Sequence, residues 1–130
     1  MNGLVEFVKA RLDDDELVAQ AARLASAAPW RLTSEHGFDG AEPVEYKVLR
    51  DNDGLSIADD RTNLTAEDLT HIAHHEPARA LAEIEAKRRL IIELDSYGGP
   101  ETTDAYYVVL RHLATVYADH PDYQDDWRLW

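Results

Sequence analysis

Proline 29 limits the folds open to this chain more than any other residue. A proline cannot extend an intrahelical hydrogen-bond ladder, and it drives the preceding residue out of the helical region. Helical periodicity therefore has to stop before it and a different pattern has to begin. Upstream, Leu4, Val5, Val8 and Leu12 form a stripe at helical spacing behind Asn2 as N-cap, which predicts a helix over 3–27. Downstream, residues 30–34 read as a short strand, and 42–50 place Val44, Tyr46 and Val48 on one face. Asp51-Asn52-Asp53-Gly54 is turn chemistry before Leu55-Ser56-Ile57. Together these predict a three-stranded antiparallel meander over 30–58.

A second proline organises the rest. Thr65-Ala66-Glu67-Asp68 reads as a capping box that opens a helix over 66–75. Glu76-Pro77 breaks it and starts another over 77–95, because proline is favoured at a first helical position. Gly98-Gly99-Pro100 stops that helix. A last one over 103–118 carries Tyr106, Val109, Leu110, Leu113 and Tyr117 on one face, and a terminal segment over 119–130 holds Trp127 and Trp130. The expected fold class is α+β, with four to five helices packed with the small meander in a single domain over 1–130.

Composition narrows the functions. The chain has no cysteine, which removes disulfide frameworks, thiolate zinc sites and cysteine nucleophiles. A net charge of −13 argues against direct nucleic-acid or anionic-membrane binding, because phosphate contacts need clustered Lys and Arg. It favours a basic partner surface. Solubility is the plain use of such charge, and mimicry of DNA by a carboxylate-studded surface is the sharper one. The longest apolar stretch, 105–110, is too short to span a bilayer, and no secretory signal pattern opens the chain, so a cytoplasmic location is expected. The serines lack an elbow motif and no glycine-rich phosphate loop exists, so no catalytic residue is assigned.

The first helix changes phase after Asp13-Asp14-Asp15-Glu16. Ala19, Ala22 and Ala25 continue the first stripe, while Leu17, Ala21, Leu24 and Ala28 lie nearly opposite it. Such a second face either packs within the domain or serves a partner or a homodimer, which makes Leu17 and Leu24 candidate binding residues. Trp30 either packs the meander onto the helices or stacks on a ligand.

Three of the six histidines fall within 71–75. His71 and His75 share a helix face and could ligate zinc, with a third ligand from Glu76, His120 or Asp122 across the fold. Their simpler role is to bond the free carbonyls at a helix end and to complement its negative pole. Arg88 lies in the middle of the stripe of Leu81, Ile84, Ile91 and Ile92, whereas Lys87 and Arg89 have Glu83 and Glu85 four residues earlier. A buried Arg88 needs a carboxylate, for which Asp119, Asp122 and Asp125 are candidates. Its stem could also lie on apolar surface with the head in water, or its guanidinium could bind a phosphate or carboxylate.

Several blocks carry a resemblance. They are Leu4-Val5-Glu6-Phe7-Val8-Lys9-Ala10-Arg11-Leu12, Ala28-Pro29-Trp30-Arg31, and His71-Ile72-Ala73-His74-His75-Glu76-Pro77-Ala78-Arg79 running into Glu85-Ala86-Lys87-Arg88-Arg89. Tyr117-Ala118-Asp119-His120-Pro121-Asp122-Tyr123 with Trp127 completes the set. Over nearly its whole length the chain resembles an uncharacterised family of short acidic proteins from actinobacteria and their phages. Many members carry a cysteine-containing insert before the last helix, where this chain has 95–105 and no cysteine. The shorter block of Pro-Trp, hairpin and Ile-Ala-x-x-x-Pro-Ala is similar to a module of phage accessory proteins, which implies a phage or prophage origin. The family supplies no catalytic residues to carry over. The expected role is that of a small protein-binding or accessory protein, with Arg79, Arg88, Trp30, Leu17 and Leu24 as binding residues and no cofactor. The alternative is a histidine-based zinc protein or metal-dependent hydrolase at His71, His75 and His120.

Overall fold

The computed structural model describes residues 3–61, 63–97 and 100–129, with the backbone alone at 100–102. The expected N-cap Asn2, the Gly98-Gly99 stop and Trp130 lie outside the described residues. The elements run α1 (Leu4–Ala25), β1 (Arg31–Asp39), β2 (Glu42–Arg50), β3 (Ser56–Asp59), α2 (Ala66–His74), α3 (Pro77–Ser96) and α4 (Pro100–Thr115), followed by a 3₁₀ turn at Asp125–Trp127. This is the expected α+β fold, with helices packed with a three-stranded antiparallel sheet in the order β1-β2-β3. The chain divides into two compact units, 17–82 and the pair of segments 1–16 and 83–130.

In the 17–82 unit, β1 and β2 pair in register from Arg31↔Arg50 to Asp39↔Glu42. β1 is therefore longer than the strand expected over 30–34. Residues 35–39 have weak strand propensity on their own, and the ladder supplied by β2 overrides it. The two-residue loop Gly40-Ala41 needs a positive φ at its first position only, and Gly40 supplies +62°. At the second turn the buried Asp51 carboxylate accepts the backbone N–H groups of Asp53 at 3.0 Å and Leu55 at 2.9 Å. That Asx geometry is what Asp is selected for in turns. On the sheet, Arg50 donates through two nitrogens to both oxygens of Glu35, each at 2.6 Å, and the Thr33 hydroxyl donates to the same carboxylate at 2.7 Å.

The capping box forms as read. Thr65 Oγ1 accepts from the Asp68 N–H at 3.1 Å, and Asp68 accepts from the Thr65 N–H at 2.9 Å. Glu76 does more than precede a proline. Its buried carboxylate accepts the N–H groups of Ala78 at 3.1 Å and Arg79 at 2.9 Å, which cap α3, and that of Trp30 at 3.1 Å, which holds the start of the sheet. Trp30 is half-buried, and its indole N–H donates to the Ser26 carbonyl at 2.8 Å, just beyond the end of α1. The peptide between Ala28 and Pro29 is cis.

In the unit of 1–16 and 83–130, Leu4, Phe7, Val8 and Leu12 of α1 pack with Ile84 and Ile91 of α3, Tyr106, Leu110 and Ala114 of α4, and Trp127. The α1 stripe is thus the core seam, as its spacing implied. Ile92, assigned to the α3 stripe, is instead 67 % exposed, because one residue past Ile91 turns it about 100° away from the seam. α4 begins at Pro100, a residue suited to the first helical position, and ends at Thr115 rather than 118. Beyond it the N–H groups of Tyr117, Ala118 and His120 bond carbonyls three residues back, which tightens the chain into turns. Arg111 then ties the terminal segment down by donating to the carbonyls of Trp127 at 3.0 Å and Arg128 at 2.8 Å.

Two outcomes test this account. Glu76→Ala strands three backbone donors and should cost about 2 kcal/mol in urea unfolding, against a change within about 0.5 kcal/mol for exposed Glu67→Ala. The Arg50 guanidinium, then the Thr33 hydroxyl, hold the Glu35 carboxyl at about 2, well below its ordinary 4.5. A depressed carboxyl contributes stability above its unfolded value and loses it as pH falls through the folded one. The stability gap between the wild type and Arg50→Met should accordingly be constant above pH 5 or so and close between pH 4.5 and 2.

Candidate functional site

The acidic run at 13–16 is spoken for by the chain itself. Asp13 and Glu16 are three residues apart on α1 and so share a face. Arg88 of α3 donates to both, through one nitrogen to Asp13 at 2.7 Å and through the other to Glu16. Asp14 accepts from Arg11 Nε at 3.0 Å, and Asp15 accepts from the Tyr117 hydroxyl at 2.5 Å. Burial, then the bond to Asp15, pushes the Tyr117 phenol up from its usual 10.

These partners correct the expectation that Arg88 pins the terminal segment. Asp122 lies 4.0 Å from Arg11 and Asp125 pairs with Arg128 at 3.3 Å, so these two of the three nominated acids are engaged elsewhere. The terminal segment is held by Arg11 instead. Its guanidinium lies over the Phe7 ring at 5.1 Å and donates to His120 Nδ1 at 3.0 Å. The Asp122 N–H donates to that same nitrogen at 3.0 Å. A nitrogen that receives two N–H donors carries no proton, so His120 is the Nε2–H tautomer. A cavity of about 250 Å³ beside Arg88 is lined by Lys9, Asp13, Ile91 and Ile92. Both terminal nitrogens of Arg88 donate to carboxylates of α1, so its charge is already balanced within the chain.

The histidine set separates. The His71 and His75 rings are neighbours in the 17–82 unit, tilted at 45° with centroids 4.6 Å apart, whereas His120 belongs to the other unit, with Arg11 and Phe7 as neighbours. Among the described residues, no group of three or more His, Asp or Glu side chains is placed to hold a metal ion. The carbonyls of His71 and Ile72 at the end of α2 are met by the His75 backbone N–H, at 3.2 and 3.1 Å. The main chain therefore makes the closure expected of the imidazoles. Arg79 sits at the start of α3, its N–H on Glu76.

The remaining candidates, Leu17 and Leu24, come together on α1 and face outward. Leu17 is 66 %, Val18 72 % and Leu24 85 % exposed, and Ala21 and Ala25 are exposed between them. At 100° per residue these five span about 120° of the helix, while Ala19 on the opposite side is buried. Ala25, expected to continue the first stripe with Ala19 and Ala22, is instead exposed on this face, because six residues past Ala19 rotate it about 240° from that buried side. Val18 was passed over because heptad-like spacing selects 17, 21 and 24. A compositional signal was available: residues 17–34 contain no Asp or Glu in a chain that has 26.

The chain belongs to a family of unknown function (DUF6221), whose model matches residues 1–129. No curated protein and no solved structure matches it.

The charge cluster makes two predictions. Arg88 is 27 % exposed and bridges two carboxylates, whereas Arg89 is 76 % exposed and holds one, Glu85, four residues earlier. Arg88→Met should cost about 1–2 kcal/mol by urea denaturation and Arg89→Met under about 0.5. An acid whose folded value is raised contributes stability below its unfolded value and loses it as pH rises through the folded one. Tyr117 should thus be the last phenol to ionise in an ultraviolet titration above pH 10, after Tyr106, which burial also raises, and Tyr117→Phe should abolish that last component.

Proposed function

We propose that this member of a family of unknown function is a binding protein rather than a catalyst, working in the cytoplasm as an accessory factor, with the outward face of α1 as its interface for another polypeptide. The observation that carries the reading is the exposure of Leu17, Val18 and Leu24 on one helix face. Contiguous apolar surface of this kind marks interaction sites, whereas apolar residues exposed singly, such as Val116 and Leu55, are ordinary. The acidic run supports the same reading by elimination, since each of its four carboxylates is engaged within the chain. The likeness to short proteins of actinobacteria and their phages fits an accessory role.

Photocrosslinking tests this directly. A benzophenone side chain at position 24 should yield adducts with a polypeptide that mass spectrometry identifies, and Leu17→Asp with Val18→Asp should cut their yield severalfold. The same probe at exposed position 67 on α2 serves as control. If position 24 yields no more polypeptide adduct than position 67, the interface reading falls.

A further inference from the structure

We infer that the occupant of the α1 face is a second copy of this chain, its α1 laid antiparallel on the first about a two-fold axis at Ala21. The inference rests on the interface reading above and names its partner.

The pattern of the stripe supports it. A two-fold contact is isologous, so a residue and its mate must exchange places across the axis. The exposed positions 17, 18, 21, 24 and 25 lie four and three residues before and after Ala21. An antiparallel mate therefore places Ala21 against Ala21, Val18 against Leu24 and Leu17 against Ala25, with no polar residue of the stripe left facing an apolar one. Large residues meet small ones in the Leu17 and Ala25 layers. The alanine pair at the centre lets the axes come to the near end of the usual 8–10 Å range.

Charge distinguishes this occupant from others. Two copies of a chain with a net charge of −13 repel wherever carboxylates meet, and all 26 acidic residues lie outside 17–34. Apposing this stretch brings no carboxylate of its own against another. A basic partner, which the net charge would otherwise attract, needs carboxylates around the stripe. The acids nearest to it along α1, at 13–16, are already engaged by Arg11, Arg88 and Tyr117. Exposed Phe38 lacks this property, since Asp39 and Glu45 line the same groove.

The absence of native cysteine makes the geometry readable with single thiols. Sedimentation across a concentration series should show a reversible monomer–dimer equilibrium, and Leu24→Asp should weaken it by about tenfold or more because the change enters twice per dimer. Under mild oxidation Ala21→Cys should form a disulfide-linked dimer, since the axis brings the two Cα atoms within the roughly 4.4–6.8 Å that a disulfide needs. Val18→Cys alone should stay largely uncrosslinked, and Val18→Cys with Leu24→Cys should crosslink readily. Far-ultraviolet circular dichroism verifies that each variant is folded. A wild type that stays monomeric at all concentrations overturns the inference, and so does a dimer in which Ala21→Cys crosslinks no faster than Val18→Cys. If position 24 crosslinks only to a different polypeptide while the chain remains monomeric, the second copy is ruled out and the interface reading survives.

Discussion

Arg88 bridging Asp13 and Glu16 is the interaction on which the helical unit of 1–16 and 83–130 depends. Four consecutive acids on one helix repel one another, and helical order cannot relieve that alone. Here three devices meet the four acids: a guanidinium from α3 shared by two of them, Arg11 from the preceding turn, and the phenol of Tyr117 just past α4. Because Arg11 also donates to His120, the same run governs where the terminal segment lies and how Trp127 closes over Phe7, with ring centroids 5.0 Å apart. A like-charge run that reads as a solvated or partner-seeking surface thus becomes the polar edge of a core.

The 17–82 unit has a smaller counterpart in Glu76. One buried carboxylate accepts three backbone donors, two from the start of α3 and one from the start of the sheet. The economy is physical: those donors have no ladder partner of their own, and leaving them buried without acceptors would be costly. While these charges are used internally, the acid-free part of α1 presents Leu17, Val18 and Leu24 together on one exposed face.

Legibility followed the range of the interaction. The capping box at Thr65, the break at Pro77, the Asp51 turn and the Leu4, Val8 and Leu12 seam were read correctly because each is decided within a few residues of backbone. The extent of β1 was not, since residues 35–39 owe their extended form to β2. Arg88 was recognised as needing a carboxylate, yet the wrong acids were nominated for it. Three terminal aspartates and the helix-1 run were equivalent in charge, and only packing separates them. His71, His75 and His120 were grouped by residue type, and the fold assigns them to different units.

The sequence by itself determined the order of helices and strands, the stripe that becomes core, and the freedom of 17–34 from acids, all properties of local chemistry and spacing. Tertiary structure decided which carboxylates Arg88 neutralises, what Glu76 holds, and which face of α1 remains open after the core is filled. Those depend on contacts between residues far apart in the chain, such as the 75 positions between Asp13 and Arg88. No local pattern encodes them, because a charge or an apolar side chain can be satisfied by any suitable partner that folding brings within reach.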